Sequence, residues 1–182
     1  MFCVNSWERG DGANVSGKWE GMAAAAIGAW LSYVALDFLT HAVVLAGWWR
    51  ATEVFWLPPA ALARRIPVAY GVFALYCASL TVLLDALRGK QAPVFTGLSF
   101  GALAGFVFGL TSALGMYCLV RVPVSFMLVG PISTTVASGG AGAAAAWVSS
   151  GDRKWRRVGV LFAAGVALLV VGVVAQNVLH AS

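Results

Sequence analysis

The sequence predicts an all-α fold, a polytopic bundle of transmembrane helices, and three observations carry that prediction. Of the 182 residues, 60% are hydrophobic and 10% charged, where a soluble domain carries roughly a quarter charged residues. Charge is absent from Ile66 to Leu84, from Gln91 to Val120, from Val122 to Gly151 and from Val158 to Leu179, and each run reaches the ~18 residues that cross a bilayer as helix. A further apolar stretch, from about Gly21 to Trp49, holds Asp37 and His41 as its only acid and imidazole. The runs are continuous rather than alternating, so the reading is of helices and not of a membrane β-barrel. Five spans are expected, with four as the alternative, at approximately residues 21–49, 66–88, 96–120, 122–150 and 157–179. They form one domain, residues 21–180, behind a tail of residues 1–20.

The first helix opens with "GMAAAAIGAW". It is far longer than the 7–15 apolar residues of a signal peptide and follows a polar stretch, so it is expected to remain as a span. After it, "ATEVFWLPPAALARRIP" is too polar to cross a membrane. Pro58-Pro59 interrupts any helix there, and a short separate element beginning at "AALARR" is expected to lie in the interface. The second helix collects Tyr70, Cys77, Thr81, Asp85 and Arg88 on one face, with Asp85 and Arg88 close enough to form an interfacial ion pair. Cys3, Cys77 and Cys118 lack C-x-x-C spacing and fall at different depths, which argues for packing residues rather than a dithiol or disulfide.

The third helix contains "GLSFGALAGFVFG", placing Gly97, Gly101, Gly105 and Gly109 four apart along one face. Lipid tails are as apolar as Leu, so helices associate where small residues let their backbones approach. This row is expected to be a tight helix contact, within the chain or with a neighbour. The fourth helix offers Ser138, Gly142 and Ala146 on one face. It also carries Pro123 and Gly130-Pro131 followed by "ISTTVASGG". Proline deletes a backbone donor, so a kink near Gly130 is expected, with Ser133, Thr134, Thr135 and Ser138 supplying donors to freed carbonyls. The sharper alternative is a discontinuous helix lining a binding cavity, as transporters use.

Basic residues set the orientation, because Lys and Arg near helix ends stay cytoplasmic. With five spans, Arg9, Lys18, Arg88, Lys90, Arg153, Lys154, Arg156 and Arg157 share one side, against Arg50, Arg64, Arg65 and Arg121 on the other. The amino terminus is therefore expected in the cytoplasm of a bacterial cell, with the protein in the inner membrane. The net charge of +5 then reflects orientation, and no nucleic-acid partner is called for. Arg153, Lys154, Arg156 and Arg157 of "DRKWRR" are the expected contacts for anionic lipid headgroups. Trp19, Trp147 and Trp155 mark the inner boundary, and Trp48, Trp49 and Trp56 the outer one.

One face of the first helix gathers Trp30, Tyr33, Asp37, His41 and Trp48 within a sector of roughly 80°. With the span centred on Ala35, Asp37 lies roughly 3 Å and His41 roughly 9 Å from the midplane, at 1.5 Å per residue. An ionisable group there costs at least ~2.5 kcal/mol, so it should face the bundle and have a partner, and His41 is one turn away. The plain reading is a structural hydrogen bond. The functional one is proton handling, ligand binding or pigment ligation, with Trp30, Tyr33, Ser133, Thr134, Thr135 and Ser138 as further candidates. Other chemistries are disfavoured. A retinal Schiff base needs an intramembrane Lys, whereas Lys18, Lys90 and Lys154 all fall outside the spans. A bis-histidine haem needs two His at one depth, and His180 lies beyond the fifth helix. No metal-ligand cluster or catalytic triad can be assembled around His41, so an enzyme reading has little to stand on.

The order "LDFLTHAVVLAGWWRATEVFW", a tyrosine-bearing second helix, "GLSFGALAGFVFGLTSALGMY" and "VPVSFMLVGP" resembles a group of small uncharacterised bacterial membrane proteins with about four spans. The likeness covers roughly residues 25 to 150, leaves the fifth helix as an addition, and implies no activity. Three function classes follow from the residues themselves. The first is a non-catalytic subunit or scaffold of a larger membrane complex, or of a homo-oligomer, packing through its glycine faces. The second is a small proton or solute transporter or channel using Asp37 and His41. The third is a pigment- or quinone-associated subunit of a photosynthetic or respiratory complex, with His41 ligating a bacteriochlorophyll. No cofactor is required by the sequence.

Overall fold

The computed structural model describes residues 12–52, 58–88, 92–119 and 123–181, and among these every regular element is helical. Helix α1 runs over Gly12–Leu39, continues as a π-helical turn at Thr40–Val44, and is followed by the short α2, Ala46–Ala51. Four long helices complete the chain: α3, Pro59–Arg88; α4, Val94–Leu119; α5, Val124–Ser149; and α6, Lys154–Ala181. Cys3, Arg9, Trp56, Lys90 and Arg121, on which parts of the topology reading rest, lie outside the described residues, as do the side chains of Arg88 and His180.

Four helical stretches are long and apolar enough to cross a membrane, Gly17–Val44, Ala60–Leu87, Val94–Cys118 and Lys154–Val178. The fold is thus an all-helical membrane-type bundle. Helix α5 is not among the four, and its position gives the reason. It touches α1, α3, α4 and α6, and Ala137, Ser138, Ala141, Ala145 and Val148 on it are fully buried. The face of α5 turned to these helices needs small residues rather than lipid-soluble ones, which lowers the hydropathy of the whole helix. Large apolar side chains sit on the outside of the bundle, among them Leu75, Leu103, Phe95, Val170 and Val178 on the other helices and Leu128 and Ile132 on α5.

Contacts along the helices set their directions. Gly28 of α1 lies at Val148 and Leu36 at Gly140, so α1 and α5 are antiparallel. Gly28 also lies at Leu161 and Phe38 at Gly172, so α1 and α6 are parallel. Tyr33 stacks on Phe73, whereas Lys18 and Gly21 share a small pocket with Asp85, so α3 runs back against α1. With α4 antiparallel to α5, the five long helices alternate up and down.

Three boundaries differ from those read in the sequence. Helix α1 begins at Gly12, so residues 12–20 belong to it rather than to a tail. "AALARR" is not a separate interfacial element: it forms the opening turns of α3, which continues through Pro67 to Arg88. Pro59 at the first helical position has no amide to satisfy there, which suits it to start the helix. Third, α5 is unbroken across Pro131, and the discontinuous-helix alternative is thereby removed.

The tightest contact is between α4 and α5. A Cβ placed on Gly97 would collide with the carbonyl of Gly142 and with Ala146, on Gly101 with the carbonyl of Ser138, on Gly105 with the carbonyl of Thr134 and with Ser138, and on Gly109 with Pro131 and Thr134. Each step of four along α4 meets a step of about four back along α5. The partner of the glycine row is therefore a helix of the same chain, and backbone meets backbone over four turns.

Candidate functional site at the π-turn of α1

The polar face of α1 does not stay together as one line. Its lower members turn to α3: the Trp30 indole Nε1 donates to the Tyr70 carbonyl at 3.2 Å, and Tyr33, 2% exposed, stacks against Phe73 and Tyr76 with ring centroids 4.9 and 5.8 Å away. From Tyr76 the network passes to α5, the phenol donating to Ser138 Oγ at 3.0 Å. This knits α1, α3 and α5 at the centre of the bundle, beside buried Cys77. Thr81, also buried, donates to the Cys77 carbonyl at 2.8 Å.

The upper members form a second group around the π-turn. The Leu45 amide donates to the Thr40 carbonyl, five residues back, at 2.8 Å. His41 lies in this turn, with its Nδ1 2.8 Å from the carbonyl oxygen of Asp37 and 3.3 Å from carboxylate Oδ1 of the same residue. A carbonyl oxygen only accepts, so the short contact requires Nδ1 to carry a proton, and the carboxylate reinforces that choice. The second ring nitrogen, Nε2, has no hydrogen-bond partner among the described residues. Asp37 and His41 keep 23% and 28% of their side-chain surface, so Nε2 is on a partly open ring.

The π-turn also changes which tryptophan His41 meets. In an unbroken α-helix, residue 48 follows 41 on the same face. A π-turn inserts one extra residue per turn, and Trp49 takes that place, its ring 5.4 Å from the imidazole at 66°. Trp48 is displaced towards α5, where its Nε1 donates to Ser125 Oγ at 3.2 Å, and it meets Trp49 edge-on. The expected association of Trp48 with His41 is therefore corrected to Trp49.

The hydroxyls after Pro131 do not open into a cavity. Ser133 donates to the Gly130 carbonyl at 3.0 Å, Thr134 to the same carbonyl, and Thr135 to that of Pro131 at 2.6 Å. They bond back onto their own helix, and onto carbonyls other than that of Met127, whose usual donor the proline deletes. Ser138 is taken by Tyr76. None of the four is gathered with Asp37 and His41.

At the other end of the bundle the four basic residues of "DRKWRR" divide. Arg153 and Arg156 are exposed. Arg157 instead closes the end of α5: its Nη1 donates to the Trp147 carbonyl and to Ser150 Oγ at 3.1 Å, and its guanidinium lies over the Trp147 ring at 5.3 Å. A cation there satisfies terminal carbonyls and complements the helix dipole. Lys154 turns towards Gly21, in a small pocket shared with Lys18, Asp85 and Ser149. Asp85 lines that pocket together with lysines from two other helices, and its expected partner, the Arg88 side chain, lies outside the described residues. Trp155 donates to Glu20 Oε1 at 2.9 Å.

Among the described residues, no group of three or more His, Cys, Asp or Glu could hold a metal ion. The chemistry on offer is a fixed imidazole with one open nitrogen at one end and a set of arginines at the other. Against protein-family models, curated proteins and solved structures alike, the chain has no match.

Proposed function

We propose that this chain is a non-catalytic integral membrane subunit or scaffold, seated in a bacterial inner membrane with its amino terminus cytoplasmic and working through helix contacts. The observation that carries this reading is the close-packed interior: α4 and α5 touch backbone to backbone from Gly97 to Gly109, and the centre is filled by Ala29, Tyr33, Ala137, Ala141 and Ala145. Outside that centre, α3, α4 and α6 present large apolar side chains, available to lipid or to helices of other subunits. The cytoplasmic placement of the amino terminus rests on the eight-to-four division of Lys and Arg. The test is native mass spectrometry of the protein extracted from its own membrane in mild detergent. A defined hetero-complex or homo-oligomer is expected; a lone monomer that carries proton flux when reconstituted in vesicles rules the reading out.

A second reading is favoured by one specific observation, the π-turn that holds His41 with Nδ1 committed and Nε2 open. π-turns recur at functional sites, and an imidazole so oriented is a proton acceptor or an axial ligand for a pigment such as bacteriochlorophyll. Under this reading His41→Ala abolishes an absorbance band of the purified protein, or a pH-dependent flux in vesicles. A colourless protein with no flux to lose excludes it.

A further inference from the structure

We propose that the end of α5 and the start of α6 form a specific site for the headgroup of an acidic, hydroxyl-bearing phospholipid, of the phosphatidylglycerol type. This goes beyond a general attraction of basic loops to the membrane, and it does not depend on the subunit reading. A groove of about 470 Å³ is lined by Trp147, Asp152, Arg153, Arg156, Arg157 and Val160. Its arginines are not equivalent. Arg157 is occupied at the end of α5 and forms a wall with Trp147 beneath it. Arg153 and Arg156 are exposed, and among the described residues neither has a carboxylate within salt-bridge distance. Standing three residues apart, they can bracket one phosphodiester, whose oxygens match guanidinium donors in pairs.

Two features select a lipid over a free phosphate. The groove runs from guanidinium groups to Val160, 52% exposed, and the same face of α6 continues through exposed Ala163, Ala164 and Ala167 to exposed Val171. A cationic end continuous with an apolar helix face matches a phosphate joined to acyl chains, and soluble phosphate would leave the apolar part unused. Asp152, in the same groove, disfavours a bare phosphate monoester by repulsion. It accepts hydrogen bonds, however, from hydroxyls on a headgroup beyond the phosphodiester. Trp147 and the exposed Trp155 place the groove at headgroup level, where indoles concentrate.

The experiment uses the full chain in mixed micelles, with bound lipid counted by native mass spectrometry against equimolar phosphatidylcholine, phosphatidic acid and phosphatidylglycerol. One retained phosphatidylglycerol per chain is expected, in preference to both competitors. Each cationic side chain near an acidic surface is worth about five-fold in affinity, so Arg153→Gln with Arg156→Gln should lower the preference over phosphatidylcholine about 30-fold. Lys154→Gln removes a charge from the same segment but faces the pocket with Asp85, so it should leave the preference within two-fold. Asp152→Asn should erase discrimination against phosphatidic acid while keeping phosphatidylglycerol bound. If Lys154→Gln costs as much as Arg153→Gln alone, the attraction is bulk charge and the proposal fails. It fails equally if soluble glycerol phosphate displaces the lipid at a comparable concentration, since the site would then read phosphate without the lipid.

Discussion

At the scale of single residues, Asp37 and His41 pose the sharpest question, since charge is expensive where these helices would meet lipid. Part of the answer lies in which oxygen the imidazole chooses. The shorter contact runs to the Asp37 backbone carbonyl and the longer to its carboxylate, so the side chain of residue 37 is the lesser partner. Asp37→Asn keeps the carbonyl and should lower stability by less than about 1 kcal/mol, whereas His41→Ala leaves a half-buried carboxylate without its donor and should cost about 1–3 kcal/mol. Thermal unfolding in one detergent compares them, and equal losses would mean that the carboxylate is the real anchor. The bond between Tyr76 and Ser138 admits a cleaner test because each partner can be removed alone. Hydrogen bonds between membrane helices average about 0.6 kcal/mol, so Tyr76→Phe and Ser138→Ala should each cost about that much, and the double variant little more than either. Fully additive losses would show that the two groups act separately.

At the scale of elements, the packing of α4 on α5 dominates. Small residues on both helices allow contact distances at which any side chain on α4 would enter the α5 backbone. Gly105→Leu should therefore force the helices apart, exceeding the 1–3 kcal/mol typical of overpacking, and yield little folded protein. Leu103→Val, on the lipid-facing side of the same helix at 65% exposure, should change the unfolding temperature by less than a few degrees. Comparable damage at both positions would contradict the contact. The two helix-internal prolines, Pro67 and Pro131, do not end their helices. In α5 the neighbouring hydroxyls bond carbonyls near the proline, and packing of one face against α4 maintains the helical path, as neighbouring helices do for prolines in membrane helices generally. The π-turn is the element with the largest consequence for side-chain placement: one extra residue exchanges Trp49 for Trp48 beside His41.

At the scale of the whole molecule, the alternation of five long helices places the beginning of α1 and the end of α6 at opposite ends of the bundle. A reporter fused after Ser182 should be external and one inserted near Gly89 cytoplasmic, in an alkaline phosphatase and fluorescent protein pair. Both reporters on one side would refute the five-crossing topology with this orientation. The two ends also differ in chemistry. One carries Trp48, Trp49, the His41 ring and the exposed Arg50, Arg64 and Arg65, and the other Lys18, Asp85, Lys154 and the arginine groove.

How much of this was legible in the sequence depends on whether a feature is local. Long charge-free runs specify helices in a membrane because unsatisfied backbone groups cannot be left in hydrocarbon, and the faces bearing Gly97 to Gly109 and Ser138 to Ala146 follow from helical periodicity. That these faces meet each other, with α5 at the centre, was decided by the fold, because small residues announce a close contact without naming its partner. A continuous helix through "AALARR" and Pro67 was likewise hidden, since prolines and polar residues read as interruptions, whereas Pro59 at a helix start leaves no amide unsatisfied and Pro67 removes a single backbone bond. The π-turn escaped because no residue type marks it; it is one residue of excess length, absorbed where packing on either side demands it. The division of Arg153 and Arg156 from Lys154 and Arg157 came last of all, because like charges in a row are distinguished only by the partners that tertiary structure brings to them.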